Sequence, residues 1–343
     1  MDIDIRTWII EWFKEQTGET DNEIRSRTNE NYFENCWMDS FTFISFITKV
    51  EEKFNISFDN DEFQDRSFAT IEGLIKNIES KLKQNQGNYS ESDIIDALKN
   101  IGVEKGDNIF VHSNIGFFGK LKGAKDEKDY YKAFKEAIFE VIGDEGSLIV
   151  PTFSYSYCWG KIFDKENTPG ICGFLSEMAR KDANAIRSED GNFSVAAIGK
   201  NAEYFTKDAP DYSFGKGTFW EKFFEMNGKF CNFNFDAAST FIHYIERELK
   251  VPYRYDKPFH GKSIINGKEV ERVFYHFVYD TDKPDTGPEF SRFDRRAKSK
   301  GLAKAANLGK GQIVTITAQD SMQLIKEEID KNPGFLTRGS NSI

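Results

Sequence analysis

Thr240, His243 and Glu246 fall three residues apart in the run Thr-Phe-Ile-His-Tyr-Ile-Glu, and residues at that spacing share one face of a helix. An imidazole beside a carboxylate has its charged form stabilised, which suits a group that takes up a proton and then holds it. The same pair also occurs as an ordinary exposed helix contact. Two apolar runs end in polar side chains, Ile109-Phe110-Val111-His112-Ser113-Asn114 and Val150-Pro151-Thr152-Phe153-Ser154. The ends of strands in open α/β sheets are where ligands bind, although a strand leaving the core through Gly116 and Gly119 reads the same way. Arg187, Ser188, Asp190 and Ser194 crowd a short loop ahead of another apolar run, as would a surface turn held by an Arg–Asp pair. Near the N-terminus, Met38-Asp39-Ser40-Phe41 stands where a helix begins, with Asp39 as a good N-cap. Free N–H groups and the helix dipole favour an anion there. The Ser40 hydroxyl is therefore placed to carry a phosphodiester, and an unmodified cap has the same sequence.

The elements that must position these groups follow from hydrophobic spacing. Ile5, Trp8, Ile9, Trp12 and Phe13 lie on one helix face, as do Phe43, Ile47, Val50 and Phe54, and again Ile71, Leu74, Ile75, Ile78 and Leu82. Three amphipathic helices make a small all-α helical bundle. The polar stretch from Gln84 to Ser90 lacks pattern, so the boundary is placed between a first domain at 1–86 and a second at 87–343. About seven flexible residues span roughly 15 Å. Beyond them strands alternate with helices. Strands are expected at 108–112, 147–150, 194–198, 230–235 and 312–318, helices at 131–141, 174–179, 219–226, 239–249 and 322–330, and a hairpin turning at Asn266-Gly267. That alternation argues for an α/β layered domain.

Composition narrows the function. The 343 residues carry 46 Lys and Arg against 56 Asp and Glu, a net charge of −10. Residues 1–86 hold 18 acidic and 10 basic side chains, so the first quarter repels nucleic acid and invites a basic partner. All four His lie in the second part, which is where proton transfer is expected. No apolar run is long enough to span a bilayer and the N-terminus lacks the order of a secretory signal, so a cytoplasmic location without membrane insertion is expected. Cys36, Cys158, Cys172 and Cys231 form no C-x-x-C pair, which points to neither a disulfide framework nor a metal site.

Taken together, the acidic balance, the length near 85 residues and the apolar faces around Ser40 resemble an acyl carrier protein across residues 1–86. That family carries its prosthetic arm on the Ser of an Asp-Ser-Leu motif, here Asp39-Ser40-Phe41. The resemblance implies 4′-phosphopantetheine on Ser40, with a phosphopantetheinyl transferase and an acyl-loading enzyme as partners. It also implies docking of the acidic carrier on a basic patch, the densest being Arg292, Arg295, Arg296, Lys298, Lys300 and Lys304, which equally reads as a solvated helix face.

The order His-Ser-Asn, Pro-Thr-Phe-Ser, Arg-Ser-x-Asp-x-x-x-Ser-Val-Ala and Thr-x-x-His-x-x-Glu resembles the aminoglycoside 3-N-acetyltransferase family over roughly residues 90–290. Val251-Pro252-Tyr253-Arg254-Tyr255, with Lys257, Phe259 and Gly261, looks like members found in polysaccharide biosynthesis. The resemblance implies acyl transfer from a pantetheine thioester to a sugar amine, with coenzyme A or an acyl-CoA as the other donor it allows. It places His243 and Glu246 in the active centre and His112, Ser113 and Thr152 near the thioester arm. In the expected mechanism His243 is the base, Glu246 orients it, Asp190 holds the amine or a sugar hydroxyl, and backbone N–H groups near Ser113 or Thr152 steady the oxyanion. Many relatives have His-Pro where this chain has Asp190-Gly191. The expected acceptor is a nucleotide-linked amino sugar. Two alternatives stay open: an acetyl-CoA-dependent aminoglycoside N-acetyltransferase, and an inactive carrier scaffold for a separate synthase. The sequence leaves the oligomeric state open, a homo-oligomer included.

Overall fold

The computed structural model describes residues 4–54, 56–58, 66–85 and 87–339. The chain divides into two compact units, Met1–Gly87 and Asn88–Ile343.

In the first unit the helices are α1 (Ile5–Thr17), α2 (Asp21–Ser26), α3 (Ser40–Phe54) and α4 (Ile71–Asn85). Short α2 escapes the periodicity and is instead fixed by a capping box between Thr20 and Glu23. Ile9, Ile10 and Phe13 of α1, Phe46, Ile47 and Val50 of α3, and Ile71, Leu74, Ile75 and Ile78 of α4 are buried together with Tyr32 and Trp37. Trp12 stacks on Phe46 with centroids 3.9 Å apart. Asp39 Oδ1 accepts from the Thr42 N–H at 2.7 Å, so α3 opens on a carboxylate cap at Ser40. The Ser40 side chain lies outside the described part of the structure.

The second unit starts with α5 (Glu91–Asn100), β1 (Asn108–Ser113), α6 (Glu127–Ile142), β2 (Ser147–Pro151), β3 (Ile162–Asp164), α7 (Phe174–Arg180), β4 (Ile186–Arg187) and β5 (Val195–Gly199). It continues through α8 (Ala202–Thr206), α9 (Phe219–Glu225), β6 (Lys229–Phe233), α10 (Ile242–Glu248), β7 (Arg254–Ile265), β8 (Lys268–Tyr279), α11 (Ser291–Ser299), β9 (Lys304–Leu308), β10 (Gly311–Thr317) and α12 (Ala318–Lys331). Seven strands form one sheet in the order β4-β5-β2-β1-β6-β10-β9. Its centre is parallel, β1 pairing with β2 and β6, and both flanks are antiparallel. Alternate residues of the central strands feed opposite cores. Phe110, Ile149 and Phe230 pack under α8 to α12, while Val111, Val150 and Cys231 pack under α5 to α7. The unit is thus three layers, helices on both faces of the sheet.

A second sheet, β3-β7-β8, is built on the hairpin turning at Asn266-Gly267, whose arms are twelve residues each. Described residues on both sides of the span expected to be flexible, Gln84 to Ser90, are held in regular contacts. Helix α4 runs on to Asn85, and Asn88 is already pinned in the second unit, its N–H donating to Lys120 O at 2.6 Å and its Oδ1 accepting from the Lys120 N–H at 2.8 Å. Asn88 and Tyr89 read as polar linker in sequence, yet Asn88 is hydrogen-bonded to Lys120 and Tyr89 forms a backbone bridge to Leu121 and buries its ring.

Candidate active site

The carboxyl ends of β1 and β6 and the loop from Asn234 into α10 gather the chemistry. His112 is the next-to-last residue of β1, and His243 sits in the first turn of α10. Asn232, fully buried on β6, donates its Nδ2 to the carbonyls of Asp236 and Ala238. Asp294 of α11 accepts from the Ala238 N–H at 2.8 Å. These two side chains fix the loop that delivers Thr240 and His243.

His112, Ser239, Thr240, His243, Phe235 and Phe290 line a largely apolar cavity of about 250 Å³. A second cavity, also about 250 Å³, is lined by Tyr155, Arg254, His276 and Tyr279 and again by Thr240 and His243. His243 therefore stands on a wall common to both. Its Nδ1 is 2.8 Å from Glu246 Oε2, which holds the tautomer that leaves Nε2 as a proton acceptor. Glu246 is fully buried, and its Oε2 also lies 2.8 Å from Arg254 Nε, whose side chain is 3% exposed. From spacing alone, the carboxylate is expected to raise the imidazole. The net direction is the reverse: burial and the Arg254 charge lower His243, and the Glu246 contact offsets them only in part. The ring is thereby neutral and receptive at pH 7.

The structure adds His276, on β8. Its Nδ1 is 2.6 Å from Ser213 Oγ, and burial, with the charges of His243 and Arg254, pushes it down to about 3. Sequence offers one signal for it, that it is among only four His. Nothing local marks His276 as a partner of α10, because the long hairpin brings it there, whereas Arg254 opens β7 six residues after α10 ends. Burial likewise pushes His112 down to about 4, against a smaller opposing pull from the Asn232 side chain. Ser113 Oγ is buried and has no hydrogen-bond partner among the described residues.

Two sequence expectations need correction. Thr152 is fully buried, its N–H donates to Ser194 O at 2.8 Å, and its hydroxyl meets Ser194 Oγ at 2.9 Å and Arg187 Nε at 3.2 Å. Neither its hydroxyl nor its N–H is open to an acyl arm or an oxyanion. Among the described residues Arg187 pairs with no carboxylate. It is buried and donates to the carbonyls of Lys165, Thr168 and Thr152, tying a loop to the sheet end. Asp190 lines neither of the cavities on which His243 stands. Its Oδ1 caps its own loop, accepting from the N–H groups of Asn192 at 2.8 Å and Phe193 at 2.7 Å. Burial pushes this carboxyl up to about 7. A Cβ at Gly191 would run into the Tyr157 ring, which accounts for glycine at that position. The basic cluster is also partly spent: Arg292 donates to the carbonyls of Phe335 and Thr337, Arg296 pairs with Glu328 at 3.0 Å and Lys300 with Glu327 at 2.7 Å. Among the described residues no group of three His, Cys, Asp or Glu could hold a metal ion, and no helix is long and apolar enough to cross a membrane.

Residues 110–329 match the family model for aminoglycoside 3-N-acetyltransferase, and residues 7–78 match that for a phosphopantetheine attachment site. The chain belongs to the aminoglycoside 3-N-acetyltransferase family. Aminoglycoside N(3)-acetyltransferase VII of Streptomyces paromomycinus is 21% identical to it over 267 residues, spanning 70% of this chain and 91% of that relative. The solved aminoglycoside acetyltransferase AAC(3)-Xa superposes with a TM-score of 0.63 at 18% identity, covering 75% of this chain and 97% of its own. AAC-IIIb, solved as a binary complex with CoASH, gives 0.59 at 19% identity over 70% of this chain and 97% of its own. This member of the acetyltransferase family is an N-acyltransferase whose chain also includes a phosphopantetheine attachment domain.

Proposed function

We propose that the chain moves an acyl group from a pantetheine thioester, carried on Ser40 or on coenzyme A, to the amine of a nucleotide-linked amino sugar. The observation that carries this reading is the position of His243, oriented by Glu246 at 2.8 Å on a wall common to two cavities, so that one can take a donor and the other an acceptor.

The apolar cavity, with His112 on its wall, suits a thin pantetheine arm. Once there, the arm supplies an acyl group activated as a thioester. A sugar ammonium must lose a proton to attack. His243 accepts it at Nε2, while Nδ1–H stays on Glu246 Oε2. The carboxylate then balances the imidazolium beside the fixed Arg254 charge. As the C–N bond forms and the thioester C–S bond breaks, the imidazolium passes that proton to the departing pantetheine thiolate, and the remaining surplus proton on the new amide nitrogen goes to solvent. No carboxylate lines either cavity among the described residues. A polycationic aminoglycoside would thus find no countercharge there, which favours an acceptor bearing few amines.

The test is transfer by the full chain from a carrier-bound or CoA thioester to such a sugar. His243→Ala is expected to lose on the order of 100-fold to 10,000-fold in kcat. Full activity in that variant removes the mechanism.

A further inference from the structure

Beyond the cavity that holds Tyr155 and His243, the turn 155–161 carries a group of side chains that the mechanism does not use. Trp159 is 53% exposed, and its ring centroid is 5.8 Å from that of Tyr155, on the cavity wall. Lys161 Nζ lies 5.1 Å from the Trp159 centroid. Across the second sheet, Lys257 Nζ lies 5.5 Å over Phe259, a ring 6.2 Å from His276 on the same wall. Both lysines are exposed, and neither has an ion-pair partner among the described residues. Lys161 is an unneutralised cation beside an open indole, and Lys257, whose charge acts on the neighbouring Cys158, is a second, in a chain of net charge −10.

The turn is held firmly. Asn192 Oδ1, fully buried, accepts from the N–H groups of Tyr157 at 3.1 Å and Cys158 at 3.3 Å. Trp159 N–H donates to Tyr155 O at 3.1 Å and Lys161 N–H to Ser156 O at 2.8 Å. Tyr155 itself is kept at φ +49°, a backbone region that non-glycine residues rarely occupy and that persists only where the surroundings fix it. An aromatic platform already ordered loses little entropy when a flat ring stacks on it.

We propose that Trp159, Lys161 and Lys257 bind the nucleoside diphosphate handle of the acceptor. The base stacks on the indole, the ammonium groups take the phosphates, and the sugar reaches past Tyr155 toward His243. This rests on the acceptor reading above and deepens it. Stacking on an aromatic face tolerates any base, whereas the lysines demand an anion. The same lysines would repel a polyamine.

Calorimetric titration of the full chain with UDP, dTDP and GDP tests it. At least one is expected to bind, more weakly at high salt. Trp159→Ala should weaken that binding about tenfold and Trp159→Phe should keep most of it. Lys161→Glu combined with Lys257→Glu should abolish it, a second route that does not depend on the indole. Binding unchanged in both the Trp159→Ala and the double variants overturns the proposal and leaves the acyl-transfer reading standing. No heat with any of the three nucleotides overturns it too, and if sisomicin is then acylated the nucleotide-linked acceptor falls with it.

Discussion

At the residue scale the chain shows how a carboxyl group's surroundings decide its work. Glu246 and Asp190 both stand close to the expected chemistry in sequence. Glu246 meets an imidazole and a guanidinium, while Asp190 meets two backbone N–H groups and little else that opposes burial. The folded Asp190 carboxyl is raised from 3.8 to about 7, so its protonated form is the one folding favours. That contribution is present in full below pH about 4 and is lost as the pH rises through about 7. Asp190→Asn keeps an oxygen for the Asn192 and Phe193 N–H groups without the charge. Its melting temperature is expected to match that of the native chain near pH about 4 and to exceed it near pH about 8, as scanning calorimetry would read; equal values at both ends would contradict the assignment.

At the scale of elements the site is a junction between one short helix and one long hairpin. Helix α10 supplies His243 and Glu246, and β7 and β8 supply Arg254 and His276. Glu246→Gln preserves shape but leaves the buried Arg254 without its anion. Breaking such a pair costs on the order of 3 kcal/mol, visible as a lower urea midpoint in addition to slower transfer. Unchanged stability would show that Arg254 does not depend on Glu246. The His243–Glu246 contact was legible because spacing of three on a helix is local information. The hairpin turn was legible from Asn266-Gly267. What brings His276 beside α10 was not, since the packing of a strand some thirty residues further along leaves no mark within either segment. Thr152 misled for a related reason: a hydroxyl at a strand end reads as exposed, and only the partners contributed by Arg187 and Ser194 show it to be buried. Strands β4 and β9, of two and five residues, are too short or too polar to carry an alternating pattern.

For the molecule as a whole, the fold of each unit could be read further than their joint use. Helix faces in the first unit and strand–helix alternation in the second came from periodicity alone. The linker did not, because a polar stretch has the same composition whether it is free or, as at Asn88, hydrogen-bonded. The proposed donor makes a direct prediction for the intact chain. Treatment with a phosphopantetheinyl transferase and coenzyme A should add about 340 Da, and Ser40→Ala should block that addition. The same variant is expected to lose turnover from the carrier-bound thioester and to retain turnover from an acyl-CoA offered in solution. Equal loss of both would point to a folding defect rather than a missing arm.

The Tyr157 ring is wedged between Gly191 and Gly261, each lacking the one carbon that would collide with it. Three positions far apart along the chain are therefore locked into a single choice. Exchanging Gly191 for alanine or proline would require a smaller side chain at Tyr157 in the same stroke, and with it would slacken the turn that presents Trp159. The three residues can be exchanged only together.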